Sequence, residues 1–118
     1  MTVSNHTSVI AVLPVADHAQ AVTWYQTWIG RGPDVEPTEG VAEWQMAENA
    51  WIQVSADPDA AGHTTVVVGV TDIEAQRTAF ANVELALGEI ADYGFIKTAQ
   101  AVDPAGNKVL FVQEVAPG

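Results

Sequence analysis

Leu13-Pro14-Val15-Ala16-Asp17 and Val68-Gly69-Val70-Thr71-Asp72 are two versions of one stretch, set 55 residues apart. Each begins in an apolar run that reads as a buried strand, and each ends in an Asp placed to cap a helix. A helical pattern follows both: one reaches Trp24-Tyr25, the other Phe80. A strand, a cap and an amphipathic helix, repeated within 118 residues, predict two matching halves. The halves should bury their apolar faces against each other or against a partner chain.

The first half extends outward from this stretch. Residues 8–15 form the first strand. Asp17 caps the helix, with Gln20 three residues on in the manner of a capping box. Ala21, Val22, Trp24, Tyr25, Trp28 and Ile29 make its apolar stripe, and Gly30 and Gly32-Pro33 end it. Residues 34–39 read as a short edge strand weakened by Pro37. Residues 41–47 alternate, with Glu43 and Gln45 on one side and Trp44 and Met46 on the other. Glu48-Asn49 turns the chain into a returning strand, 50–55. There Trp51, Gln53 and Ser55 share one face, Ile52 and Val54 the other.

Residues 57–62 are a linker of turn residues. The second half then begins with a strand at 63–70 and a helix from Asp72 to about residue 83. Strands are expected around 85–90, 95–102 and 108–115. Asp103-Pro104-Ala105-Gly106-Asn107 is a turn in which Gly106 and Asn107 suit positive φ. The fold class is therefore α+β: one domain over 1–118, built of two βαβββ modules at about 8–56 and 63–115. Residues 1–7 read as a polar tail or arm.

Composition narrows the function. Four Lys and Arg stand against 15 Asp and Glu, and the four are scattered at Arg31, Arg77, Lys97 and Lys108. A nucleic-acid partner needs clustered cations, and an anionic membrane surface needs them too, so neither is expected. The acidity serves either solubility or attraction of a cationic ligand. Cysteine is absent, which excludes disulfides, thiolate metal sites and cysteine nucleophiles and agrees with a cytoplasmic location. Residues 1–6 lack the basic and apolar regions of a signal peptide. No Gly-x-Gly-x-x-Gly, P-loop or His-Glu-x-x-His motif occurs.

Val12-Leu13-Pro14-Val15-Ala16-Asp17, the helix through Trp24-Tyr25 to Ile29-Gly30, and Asp103-Pro104-Ala105-Gly106-Asn107, in that order, resemble the vicinal-oxygen-chelate superfamily. Glyoxalase I, extradiol dioxygenases, fosfomycin-inactivating transferases and bleomycin-resistance proteins belong to it. The resemblance covers about residues 8–115. It implies modules that curl their sheets into half-cups, helices on the outer faces, and a homodimer whose paired cups enclose two pockets.

The resemblance also locates the superfamily's metal ligands. Carried over by position, they fall at Ile10, Gln53, Thr65 and Leu110. None is His, Asp or Glu, whereas a catalytic divalent ion needs about three nitrogen or carboxylate donors. No metal and no other cofactor is expected. His63, two residues before Thr65, is the one alternative ligand in reach, and a solvated loop histidine is the other reading of it. Ile10 and Leu110 leave an apolar floor, and Gln53 and Thr65 add sparse polar groups, as a small-molecule pocket requires. Trp51 shares the face of Gln53. Trp44, on the neighbouring strand, either flanks the cup or packs in the core. Aromatic walls suit flat or cationic ligands.

The candidate ligand-binding residues are thus Ile10, Trp44, Trp51, Gln53, Thr65 and Leu110, with Asp34, Glu36, Glu39, Glu89 and Asp92 near the rim. No residue is assigned a catalytic role. The expected function is metal-free binding of a small molecule, such as sequestration of an aromatic or cationic antibiotic. The alternative is a glyoxalase-type lyase or isomerase, or a dioxygenase, with a displaced metal site. A purely structural or protein-binding role predicts a filled cup.

Overall fold

The computed structural model describes residues 5–115. The expected tail at 1–7 therefore falls partly on residues outside those described. The first half contains β1 (Val9–Val15), α1 (His18–Ile29), β2 (Val35–Thr38), β3 (Val41–Ala47) and β4 (Ala50–Ala56). The second contains β5 (Thr65–Gly69), α2 (Ile73–Asn82), β6 (Ala91–Asp92), β7 (Ile96–Val102) and β8 (Lys108–Glu114). Two four-stranded sheets result, ordered β1-β4-β3-β2 and β5-β8-β7-β6. In each, the first strand runs parallel to the last and the other pairings are antiparallel. This is an α+β fold of two βαβββ units, as the repeat predicts.

The helix caps form as expected. Asp17 accepts from the Gln20 amide and Asp72 from the Ala75 amide, each serving one of a helix's unpaired N-terminal donors. Gly30 ends α1 at φ 90°, a left-handed conformation that costs glycine little.

Strand alternation sorts side chains into two sets. Leu13 and Val15 of β1, Ala42 and Trp44 of β3, and Ile52 and Val54 of β4 turn inward and are buried. Ala99, Ala101, Val109 and Phe111 do the same in the second sheet. The helices join the two sets into one core. Trp28 of α1 stacks on Phe80 of α2 at 5.9 Å and meets Phe111 of β8 edge-on at 5.3 Å. Tyr25 lies 6.2 Å from Trp44. Such aromatic pairs each contribute about 0.5–1.5 kcal/mol beyond the area they bury.

A polar clasp reinforces the junction. Asp103, only 3% exposed, accepts three backbone amides of its own turn, from Ala105, Gly106 and Asn107. Its other oxygen accepts the Tyr25 hydroxyl at 2.8 Å and the Asn107 side-chain amide at 3.0 Å. Asn107 also donates to the Pro14 carbonyl and accepts from the Thr64 amide. One turn of the second half thereby holds α1 and β1 of the first. Burial, and then the Asp103 carboxylate, push the Tyr25 phenol far above its ordinary range, so it stays a donor. Gly62 completes the fit: a Cβ there would meet the Ala105 carbonyl, and its φ is +84°.

Two expectations about local structure need correction. Residues 85–90 form no strand; β6 is only Ala91–Asp92. Leu85, Leu87 and Ile90 pack against the core, but Leu87 and Ile90 are three residues apart, which breaks the period of two. Gly88 makes one ladder-like bond, to the Gln100 carbonyl. Gly106 has positive φ, but Asn107 does not; its side chain serves the clasp instead. The second helix ends at Asn82 with Val83 as its cap, in agreement with the expected end at about residue 83.

Candidate functional site

The face of each sheet turned away from the helices is the open face. Its rows follow from strand register. In the first sheet Ile10 lies beside Trp51, and Trp51 beside Gln45. The next row is Val12, Gln53, Glu43 and Val35. In the second sheet Thr65 lies beside Lys108, and the next row is Val67, Leu110 and Gln100. Register thus places Ile10, Trp51, Gln53, Thr65 and Leu110 on open faces. The first three are neighbours on one sheet, while Thr65 and Leu110 belong to the other.

These faces are apolar to a degree that water disfavours. Ile10 is 44% exposed, Val12 45% and Val67 61%. Trp51 is half-buried. Trp44 departs from the expectation that it flanks the cup. It is completely buried, turned toward α1, and its indole N–H donates to the Arg31 carbonyl. It and Trp51 stand on adjacent strands but on opposite faces, because Trp44 pairs with Ile52 rather than Trp51.

Polar groups on the first open face form a chain. The Ser55 hydroxyl donates to Gln53 Oε1 at 2.7 Å, and Gln53 Nε2 donates to Glu43 Oε2 at 2.6 Å. The carboxamide orientation follows from its partners, since only its nitrogen can donate to a carboxylate. Glu43 was not among the candidate residues. The signal was available: it alternates with Trp44 and pairs with Gln53 across an antiparallel hairpin.

A cavity of about 240 Å³ lies at the seam between the two edge strands β1 and β5, near the β3–β4 hairpin. Its walls include Ala11, Met46, Trp51, Ile52, Val66 and Val68. Trp51 is the candidate ligand-binding residue that lines it. Gln53, Thr65 and Leu110 lie outside it.

The residues present do not suit a metal ion. Ile10 and Leu110 have no donor atom, and Gln53 is engaged by Ser55 and Glu43. Among the described residues no three His, Asp or Glu side chains converge as a ligand set. His63 lines a polar cleft with Thr65 and Lys108, where an ammonium neighbour opposes a second cation. The rim carboxylates differ in state. Asp34 is tied to Arg31 through two bonds and to the Gln45 amide. The Arg31 guanidinium, then the Gln45 amide, hold its carboxyl down to about 2. Glu36 and Glu39 line a separate cavity with His18. Glu89 is exposed, and so is Asp92, which accepts the Gly94 amide.

No protein-family model matches the sequence, and no curated protein matches it. Solved structures do. A glyoxalase/bleomycin resistance protein from Catenulispora acidiphila has a TM-score of 0.86 at 24% identity, over 92% of this chain and 98% of that one. A bleomycin-binding protein from bleomycin-producing Streptomyces verticillus, complexed with copper(II)-bleomycin, has a TM-score of 0.75 at 19% identity, over 92% and 97%. A lactoylglutathione lyase from Agrobacterium tumefaciens has a TM-score of 0.77 at 13% identity, over 93% and 96%. The chain is an α+β protein of paired βαβββ units. Its fold is that of the glyoxalase/bleomycin-resistance proteins, the vicinal-oxygen-chelate fold. At these identities the likeness concerns the fold, and the function has to be argued from the site.

Proposed function

We propose that this protein binds a small molecule without a metal or other cofactor, and that it acts by sequestering an aromatic or cationic compound. The carrying observation is the first open face: exposed Ile10 and Val12, the half-buried Trp51, and a short polar chain through Gln53. Apolar area with sparse, oriented polar groups is the usual make-up of a ligand pocket. The S. verticillus neighbour binds bleomycin on the same fold, which supports this reading over a structural role. The lyase alternative needs metal donors that positions 10, 53, 65 and 110 do not supply.

Each open face lacks a cover in the single chain, so the working form is taken to be a homodimer that apposes one sheet with another. A cytoplasmic location and no membrane or nucleic-acid partner complete the reading. Among the described residues no helix is long and apolar enough to cross a membrane.

The test is a titration with a bleomycin-type cationic glycopeptide, without added metal, followed by tryptophan fluorescence. Saturable quenching that is lost in Trp51→Ala is the expected result. A flat signal overturns bleomycin-type sequestration. Sedimentation of the purified chain tests the dimer; a monomer at micromolar concentration overturns it.

A further inference from the structure

We propose that the β1–β5 seam is a second binding site, and that its occupant is a small uncharged aromatic molecule of one or two rings. The site does not depend on the open face being a binding surface. Its walls are mainly side chains turned toward the core: Ala11, Met46, Val66 and Val68 pack against that core, and Ile52 is part of it.

The repeat explains why a cavity opens there. Ile10 pairs with Trp51 as Thr65 pairs with Lys108, so first-half positions recur 55 residues later on the first strands and 57 later on the last. In the second half the Asn107 side chain bonds the Pro14 carbonyl and the Thr64 amide, tying the end of β1 to the start of β5. The positions that answer to Asn107, Pro14 and Thr64 are Ala50, Gly69 and Val9, and all three line the cavity. An alanine side chain has nothing with which to make those bonds. The turn before Ala50 is also shorter: two residues separate β3 from β4, and five separate β7 from β8. Phe80 answers to Tyr25 in the second helix and lacks the hydroxyl that Asp103 accepts. The two halves are therefore clasped at one end of the seam, and the other end lacks the clasp.

What fits follows from volume and lining. The cavity measures about 240 Å³, and an apolar cavity of about 150 Å³ is enough to hold benzene. A single ring fits, and two fused rings fill the space better. Apart from the Met46 sulfur and the Trp51 indole N–H, no lining side chain carries a polar atom. An ordered water needs about two to four polar partners, which these side chains do not supply. A charged group of either sign loses its hydration here and finds no side chain of opposite charge. A neutral ring gains contact with the Met46 sulfur and the Trp51 indole.

The clasped end cannot take the same guest. Asn107 fills it with hydrogen bonds, and the cleft beside it, at His63, Thr65 and Lys108, is polar. One guest per chain is therefore expected. Its place is between β1, the β3–β4 hairpin and β5, where it makes by apolar contact the bridge that Asn107 makes by hydrogen bonds at the far end.

The experiment uses the full chain with ¹³C-labelled methyl groups, titrated with indole, toluene, benzylamine and benzoate. The Met46 and Val68 methyl resonances report binding. Indole and toluene should shift both to saturation at one molecule per chain, and the two charged probes should bind about tenfold more weakly or worse. Ala50→Leu, which fills the cavity from β4, should weaken indole binding about tenfold or more. Tyr93→Ser, which removes an exposed aromatic outside the cavity, should leave it unchanged. If Ala50→Leu does not fold, Ala11→Leu fills the same space from β1 and reads the same loss. Absence of saturable shifts, equal binding of the charged probes, or undiminished affinity in a folded, filled variant overturns the proposal. The bleomycin-type titration repeated on that variant keeps the two readings apart. Quenching retained while indole binding is lost shows two sites; loss of both together makes the seam part of the open-face site and overturns a second one.

Discussion

The middle rows of the two open faces hold the same place in the repeat and carry different chemistry. In the first half the row is Val12, Gln53 and Glu43; in the second it is Val67, Leu110 and Gln100. The inward sides of the same strands agree far better: Leu13, Ile52 and Val54 in one half answer to Val68, Val109 and Phe111 in the other. Inward positions must fill a shared core, so packing dictates them. Outward positions are bound only by register, and the two halves use that freedom differently. Recognition is therefore expected to be lopsided, with the polar contacts on the first sheet and apolar area on both.

The sharpest way to break this comparison is to truncate on each side of one hairpin. Trp44→Ala, inward and fully buried, should cost about 4 kcal/mol in chemical denaturation. Trp51→Ala, on the open face, should cost under about 1 kcal/mol yet abolish ligand-induced quenching. Equal losses in the two variants would mean that the open face is part of the core. The clasp comes next. Asp103→Ala strands three amides and the Tyr25 hydroxyl, and should cost about 3 kcal/mol; Tyr25→Phe should cost about half that.

Gln53→Leu makes the first row resemble the second. It should change stability by no more than about 0.5 kcal/mol, because its partners Ser55 and Glu43 can turn to water. Affinity for a cationic ligand should fall with it; unchanged affinity would remove the functional distinction between the rows. The smallest effect belongs to Asp34. Its carboxyl is held down to about 2 against an ordinary 3.8, so the contribution of the Arg31 pair is present above about pH 4 and is lost as pH falls through 2. A carbon-detected NMR titration should place the Asp34 midpoint near 2, and Arg31→Ala should return it toward 3.8.

Much of the fold was legible because its signals are local. The two Asp caps, the stop at Gly30 and the alternation of 41–47 and 50–55 each involve residues a few positions apart. The rows match through the repeat, since Val12 pairs with Gln53 as Val67 pairs with Leu110; the offset is 55 residues on the first strands and 57 on the last. Residues 85–90 misled because Leu85 and Leu87 alternate as a strand would, whereas Ile90 falls out of step and Gly88 makes a single ladder-like bond, to the Gln100 carbonyl. The turn at 103–107 was legible as a turn, but not as a clasp, because its partners Tyr25, Pro14 and Thr64 lie 78, 93 and 43 residues away from the side chains they meet.

The sequence by itself determined the two βαβββ units, their register parity, and the chemistry at positions 10, 53, 65 and 110. Those follow from periodicity and residue type, which need no knowledge of distant contacts. Only the tertiary structure decided that Trp44 belongs to the core and Trp51 to the open face. It alone decided that Glu43 joins Gln53, that a cavity opens at the β1–β5 seam, and that Asp103 and Asn107 bind the halves together. Alternation says which side chains share a face; which face is covered depends on where the helices dock, and that is set by burial summed over the whole chain.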